Sequence, residues 1–276
     1  NINWKNTKIC PQGPSEGNIM DIANKFSLVG KIALVTGASG GLGKHFAEIL
    51  AGAGATVAVG ARRVEKVKEV VSGITATGGK AIAVNLDVSD RASIIGAFDE
   101  IQEKVGTVNI CVNNAGISGR DSALDTSDDG WDEVFSTNLK GTWMVTQETT
   151  KRLVAKNIGG SIINIASILG ERVMPGVLTY TVSKAGVVQL TKALALEWAR
   201  HNIRINAIAP GYVETDLNRA LLQSDMGKKI IQRIPQRRTG ELSDLDGPLL
   251  LLASDASAFM TGVIIPVDGG HLVSSL

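Results

Sequence analysis

From Lys31 onward the chain alternates short β-branched and small apolar runs with longer segments whose apolar positions recur at helical spacing. The runs fall at 32–36, 56–60, 81–86, 108–112, 161–166, 204–209 and 263–267, punctuated by Gly, Asp or Ser. A run such as Ile32-Ala33-Leu34-Val35 is apolar on both sides, as a sheet covered on both faces requires. Strands separated by helices predict a parallel sheet, because parallel neighbours need a crossover, and that crossover is right-handed. The expected fold class is α/β, a single doubly wound domain with a seven-stranded parallel sheet and helices on both faces. No Pro- or Ser-rich linker and no internal repeat interrupts residues 30–276, so one domain is expected over 28–276, after an N-terminal extension at 1–27. Within that extension, residues 1–19 carry Lys5 and Lys8 without an apolar core, and Met20 stands directly before the first periodic segment. They read as a leader or a disordered segment outside the fold.

Composition narrows the class of function. With 28 Lys and Arg against 27 Asp and Glu, the net charge of +1 excludes a nucleic-acid binder driven by bulk charge. No apolar stretch approaches the ~20 residues needed to cross a bilayer, so no membrane span is expected. Cys10 and Cys111 suit neither a disulfide framework nor a metal cluster, which fits a reducing, cytoplasmic compartment. His45, His201 and His271 share no metal-ligand spacing, and no metal site is expected. Cys111 reads as a buried small hydrophobe, and Trp143 and Met144 as core or subunit contacts on a helix that starts near Asp129. The 31 glycines, against only 4% aromatic residues, point to tight turns and a ligand cradled by backbone.

The glycines are concentrated where the first strand ends, in Thr36-Gly37-Ala38-Ser39-Gly40-Gly41-Leu42-Gly43, ahead of a helical segment over 44–53. Such a turn lets backbone N–H groups and the positive end of a helix approach a pyrophosphate, although a glycine cluster can also be only a tight strand-to-helix turn. At the end of the second strand, where a carboxylate would bind the adenine-ribose 2′-hydroxyl, the chain carries Arg62 and Arg63. A guanidinium there accommodates a 2′-phosphate, so NADP(H) is expected in preference to NAD(H). The competing reading is a solvated helix start.

Ser167 closes the fifth run, and Tyr180-Thr181-Val182-Ser183-Lys184 follows thirteen residues later. On a helix starting near Thr179, Tyr180 and Lys184 lie one turn apart on one face. A free phenol has a pKa near ~10, and a neighbouring ammonium lowers an acid by about 1–3 units, toward general acid/base strength at neutral pH. Taken alone, a Y-x-x-x-K pair is as readily an exposed structural pair.

The order and spacing of the T-G-x-x-x-G-x-G turn, Asn113-Asn114-Ala115-Gly116, Asn138, Ser167 and Tyr180-x-x-x-Lys184 resemble the short-chain dehydrogenase/reductase family. Asn206-Ala207-Ile208-Ala209-Pro210-Gly211, Thr261-Gly262 and Val267-Asp268-Gly269-Gly270 extend the resemblance over residues 28–272. It implies a Rossmann-type fold and hydride transfer between a nicotinamide cofactor and an alcohol or ketone. By resemblance, Tyr180 exchanges a proton with the substrate oxygen and Ser167 hydrogen-bonds that oxygen. Lys184 would bind the nicotinamide ribose and depress the phenol, and Asn138 would hold a proton-relaying water. Cofactor contacts would come from Gly37, Ser39, Gly41, Leu42 and Gly43 in the turn, and from Arg62 and Arg63 after the second strand. Asp87 and Val88 would follow at the adenine, with a helix N-cap as the alternative for Asp87. Asn114, Ala115 and Gly116 would line the cofactor. Pro210, Gly211, Val213 and Thr215 would complete the set, with Thr215 at the carboxamide.

Residues 212–238 would form a lid, with Arg219, Lys228, Lys229, Arg233, Arg237 and Arg238 outnumbering Glu214, Asp216 and Asp225. A basic lid could attract an acidic substrate or carrier protein; a solvated helix face explains it equally. Glu214-Thr215-Asp216-Leu217 resembles 3-oxoacyl-(acyl-carrier-protein) reductases, whereas Ala193 through Arg200 also resembles gluconate 5-dehydrogenases. The first implies a 3-oxoacyl thioester or general carbonyl reductase with acyl carrier protein as a partner, docked near Lys156 and Arg200-His201. The second implies a sugar or polyol dehydrogenase. A non-catalytic dinucleotide sensor or scaffold is the alternative from another class. The family also implies a homotetramer, built on the helix bearing Trp143, the catalytic helix and the last strand.

Overall fold

The computed structural model describes residues 24–119, 122–215 and 219–274; the sequence-based readings of the leader at 1–19, of Cys10 and of Asp216-Leu217 lie outside them. Seven strands, β1 (Ile32–Thr36), β2 (Thr56–Ala61), β3 (Lys80–Asn85), β4 (Ile110–Asn113), β5 (Gly160–Ile165), β6 (Ile203–Pro210) and β7 (Ile264–Val267), pair in the order β3-β2-β1-β4-β5-β6-β7. Every pairing is parallel. The order reverses between β1 and β4, which opens a crevice at the carboxyl ends of these two strands.

Strand geometry sorts the core. Ala33 and Val35 of β1 pack into one cluster and Leu34 into the other; Ile110 and Val112 of β4 are likewise split from Cys111. The first cluster is covered by α1 (Gly41–Gly52), α2 (Val64–Ala76) and α9 (Asp246–Ala253), with Phe46 fully buried. The second is covered by α3 (Arg91–Lys104), α5 (Thr142–Lys156) and α6 (Leu178–Trp198), with Phe98 at its centre. Each such side chain contributes about 1.5–3 kcal/mol by leaving water. Between them in sequence stand α4 (Asp128–Phe135) and, over the open end of the sheet, α7 (Arg219–Gln223) and α8 (Asp225–Arg233). Cys111 is buried, which pushes its thiol up to about 12, and Met144 is buried against the same cluster.

Several boundaries differ from the sequence reading for identifiable reasons. β4 begins at Ile110 instead of 108, because the Asn109 side chain accepts from the Ile32 amide at 2.9 Å where a ladder bond would stand. β7 begins at Ile264, since the Val263 amide donates to the Asn206 side chain at 3.0 Å. α1 starts three residues earlier than expected. The Lys44 amide already donates to the Gly40 carbonyl, so the low-propensity glycines of the turn form the first helical turn. The helix expected from Asp129 through Asn138 is interrupted by a π-helical turn, Ser136–Gly141.

Candidate active site

The turn after β1 is shaped by contacts that exclude side chains. Gly37 has φ of +64°, and a Cβ there would stand 2.7 Å from the Cα of Ala115; one at Gly43 would stand 2.6 Å from the Gly37 carbonyl oxygen. This brings the first helical turn, β1 and the loop after β4 together at the crevice. The Thr36 hydroxyl accepts from the amides of Asn114 (3.1 Å) and Ala115 (3.0 Å), and the Asn114 side chain donates to the Thr36 carbonyl at 3.0 Å. Gly40 caps α1 without any side-chain bond, so the first-turn amides are left to an anion. The cradle therefore fits a dinucleotide pyrophosphate.

Beyond β2, Arg63 donates to the Ser39 hydroxyl at 2.9 Å, closing a polar corner beside the glycine turn. Asp87, just past β3, accepts from the Ser89 amide and hydroxyl at 2.9 and 2.6 Å. Burial raises its carboxyl, but the Ser89 bonds and the Arg62 charge outweigh this and hold it below its ordinary value. Asp87 is not a helix cap: Asp90 caps α3, accepting from the Ala92 amide. Val88 is buried against Gly141 of the π-helical turn. Leu42 faces the first core cluster.

The second half of the crevice holds Asn138, Ser167, Tyr180 and Lys184. Asn138 is fully buried in the π-helical turn, a geometry that recurs at functional sites. Its Oδ1 accepts from the Ile117 amide at 2.8 Å, and its Nδ2 donates to the Ile117 carbonyl (2.9 Å) and to the Ser183 hydroxyl (3.1 Å). Ser167 lies two residues past the end of β5, not within it, and its oxygen accepts from the Leu169 amide at 3.1 Å. That leaves the hydroxyl hydrogen for a second partner, and the Ser167 side chain acts on the Tyr180 phenol. Tyr180 and Lys184 sit in the first two turns of α6, with the ammonium 5.6 Å from the ring centroid.

The electrostatics depart from expectation. Burial pushes the Tyr180 phenol above its ordinary value, while the Ser167 bond pulls it down. Lys184 is itself buried, which brings its ammonium down to about 8. The ammonium donates to the Ile165 carbonyl at 2.7 Å instead of pairing with the phenol, so the anticipated depression of Tyr180 by Lys184 is not met.

Residues 37–271 match the family model described as enoyl-(acyl carrier protein) reductase, from the first glycine of the turn to the C-terminal histidine. The chain belongs to the short-chain dehydrogenase/reductase family. It is 42% identical over 252 residues to the 2-dehydro-3-deoxy-D-gluconate 5-dehydrogenase of Dickeya dadantii, covering 91% of this chain and 99% of that one. It is 37% identical over 246 residues to the 3-oxoacyl-(acyl-carrier-protein) reductase of Thermotoga maritima, covering 89% and 99%. Among solved structures, a gluconate 5-dehydrogenase from Burkholderia cenocepacia in complex with NADP and tartrate matches with a TM-score of 0.88 at 36% identity, over 92% of this chain and 100% of that one. This short-chain dehydrogenase/reductase is thus a dinucleotide-binding oxidoreductase acting on CH–OH groups of a small molecule.

A cavity of about 810 Å³ begins at Ile168 and Leu169, the two residues after Ser167. Its far walls come from the loop at Arg172–Met174, from α8 and the segment after it, and from the C-terminal residues His271 and Ser274. Arg172, Arg233 and Arg237 line it, and no carboxylate does among the described residues. The rest of the lid charge is largely paired: Arg219 with Glu214 and Lys228 with Asp225, while Arg238 pairs with Asp244 and holds that carboxyl down at about 2. The expected basic lid is therefore sorted into ion-paired cations at Arg219, Lys228 and Arg238 and a cavity lining that carries Arg233 and Arg237.

Pro210 ends β6, and the Gly211 amide donates to the Val267 carbonyl at 2.9 Å. Val213 bridges to Gly240, and Thr215 stands at the start of the lid, its carbonyl accepting from the Arg219 amide. The residues that sequence reasoning missed are structural partners of the site: Thr36, Ser183, and the main chain of Ile117 and Ile165. Thr36 and Ser183 stood inside the motifs already singled out, one as the first letter of the glycine turn and one directly before Lys184. The histidines go to local contacts: His45 to Asp246 at 2.6 Å, His201 to Arg200, and His271 to the Tyr212 ring. No described helix is long and apolar enough to cross a membrane.

Proposed function

We propose that this chain interconverts a secondary alcohol and a ketone on a small sugar acid, using NADP(H) in preference to NAD(H). The observation that carries the substrate class is the arginine-lined cavity whose wall begins at Ile168, the residue after Ser167. NADP(H), when bound, supplies or accepts the hydride. In the reductive direction Tyr180 donates its proton to the ketone oxygen, and Ser167 donates a hydrogen bond to the same oxygen as charge develops there. Lys184 lies within the crevice to bind ribose hydroxyls, and Asn138, 3.3 Å from where a Gly116 Cβ would stand, orders the path by which the phenol is reprotonated.

The preference for NADP(H) rests on Arg63 and Ser39, whose bonded pair offers a guanidinium and a hydroxyl to a 2′-phosphate, with Arg62 adding charge. Gly37, Gly41, Leu42 and Gly43 would hold the pyrophosphate, Asp87 and Val88 the adenine, and Asn114–Gly116 the nicotinamide ribose. Pro210, Gly211, Val213 and Thr215 would hold the nicotinamide. Residues 28–276 would act as one catalytic domain, in the cytoplasm, with Cys111 a buried thiol.

A 3-oxoacyl thioester is the second reading, favoured by the apolar part of the same cavity, Leu169, Val173, Met174 and Ile230. Carrier docking at Arg200 and His201 fits it poorly within one chain. They follow the C-terminal end of α6, about 30 Å along the helix from Tyr180 at its start. Assembly as a homotetramer is supported by an apolar hollow of about 820 Å³ on the outer face of α4, α5 and α6, lined by Phe135, Leu139, Trp143 and Leu190.

Purified protein and NADPH with 5-keto-D-gluconate, a 3-oxoacyl thioester and an aryl ketone would separate these readings. The sugar-acid reading predicts the highest kcat/KM with 5-keto-D-gluconate; activity confined to the thioester would replace it, and no turnover of any of them would favour a sensor role.

A further inference from the structure

We propose that the C-terminal turn is a wall of the substrate pocket, and that Arg172, Arg233 and the imidazole of His271 receive the carboxylate of the substrate. The proposal rests on the sugar-acid reading above and deepens it by assigning the end of the substrate remote from the reacting carbon.

The turn is held rigidly. Gly269 and Gly270 are both left-handed (φ of +63° and +87°), and the Asp268 carboxylate accepts from the amides of Gly270 and Leu272. This double reversal turns the chain from β7 into the short helix His271–Val273 and brings His271 to the cavity. Arg172 fastens it from the other side, its Nη1 donating to the His271 carbonyl and to the Ser274 hydroxyl. Its Nε and Nη2 make no hydrogen bond among the described residues.

What the turn delivers is an unfilled donor set. The Nδ1 of His271 is buried and has no hydrogen-bond partner among the described residues. Its ring leans on Tyr212, 5.8 Å between centroids, and among the described residues the Tyr212 hydroxyl reaches only the Met174 thioether. Burial keeps the imidazole below its ordinary pKa, the charges of Arg172 and Arg233 add to this, and only Asp268 opposes. The ring is therefore neutral at neutral pH and carries one N–H that can donate. Two guanidinium groups and one imidazole N–H, with no competing carboxylate on the cavity wall among the described residues, match an acceptor-only anion.

The test compares kcat/KM for 5-keto-D-gluconate and its uncharged amide, 5-keto-D-gluconamide, with NADPH in wild type, Arg172→Gln, Arg233→Gln and His271→Phe. NADPH binding, followed by fluorescence, reports that each variant is folded. The wild type is expected to prefer the acid. Each arginine variant should lower the acid-to-amide ratio by about 10- to 100-fold, and His271→Phe by about 5- to 10-fold, with partial rescue by His271→Asn. Should Arg172→Gln loosen the turn and fail to fold, Arg233→Gln and His271→Phe still decide the matter. A wild-type preference for the acid that survives in the folded variants overturns the carboxylate subsite while leaving the sugar-acid reading standing. Absence of wild-type turnover of either compound overturns both. A ketose phosphate outcompeting D-gluconate in a titration of the NADP-bound protein overturns the choice of carboxylate over phosphate.

Discussion

Lys184 donates from its ammonium to the carbonyl of Ile165 at 2.7 Å, anchoring the start of the long helix α6 to the end of strand β5. The same bond holds a charge where water does not reach, and burial draws the lysine down to about 8 from an ordinary value of 10.5.

A lysine whose folded pKa lies below its unfolded one costs stability where it is charged in both states, below about pH 8. Between about 8 and 10.5 the unfolded chain binds more protons, so the cost is relieved as pH rises and is gone above 10.5. Lys184→Met should therefore be favoured over wild type by about 1–3 kcal/mol at pH 7, after allowance for the lost hydrogen bond. Denaturant melts at a series of pH values should show that difference shrinking toward pH 10. A difference flat in pH would refute the account of the buried charge.

Two glycines of the turn should answer alanine differently. A Cβ at Gly40 meets nothing within 4 Å, and its φ of 170° is ordinary extended backbone. A Cβ at Gly43 would stand 2.5 Å from the Asn114 amide nitrogen and 2.6 Å from the Gly37 oxygen. Gly40→Ala should keep stability within about 1 kcal/mol, whereas Gly43→Ala should lose about 1–3 kcal/mol. Thermal melts would detect the second as a drop of several degrees; equal melting temperatures would count against the packing described.

Asn138 clamps Ile117 through both its amide atoms. Asn138→Ala removes both partners of the Ile117 main chain in a partly buried loop, at a cost of about 1–3 kcal/mol in all. Melting should fall, and solvent exchange of the Ile117 amide should rise above that of its neighbours. Protection equal to wild type would show that another group replaces the clamp.

Strand positions and the doubly wound class were legible because a parallel sheet covered on both sides imposes apolar runs at every strand, as in Ile32–Thr36, where expected and observed bounds coincide. Boundaries slipped where side chains took ladder positions, as Asn109 and Asn206 do. The candidate site was legible at the level of residue types and spacing, and the crevice does gather Gly37, Asn114, Asn138, Ser167, Tyr180 and Lys184. Its electrostatics were not, since the competition between Ile165 and Tyr180 for the Lys184 ammonium is decided by three-dimensional packing. The sorting of the lid charges was equally hidden: nothing in the linear order separates Arg233, on the cavity wall, from Lys228, paired with Asp225.

Cofactor choice should depend on the corner formed by Arg63 and Ser39. Arg63→Ala should lower kcat/KM with NADPH by about 10- to 100-fold and leave NADH within a few fold, since a charge-assisted bond is worth about 1.5–3 kcal/mol. Equal losses with both cofactors would assign Arg63 a structural role instead.

The central claim is that Tyr180 moves the proton while NADP(H) moves the hydride. Its most direct test is steady-state oxidation of NADPH with 5-keto-D-gluconate by wild type and Tyr180→Phe, with NADPH affinity measured on the same samples. The account predicts a fall in kcat of about 10²- to 10⁴-fold with NADPH affinity nearly unchanged; a Tyr180→Phe enzyme that keeps near wild-type turnover would contradict it.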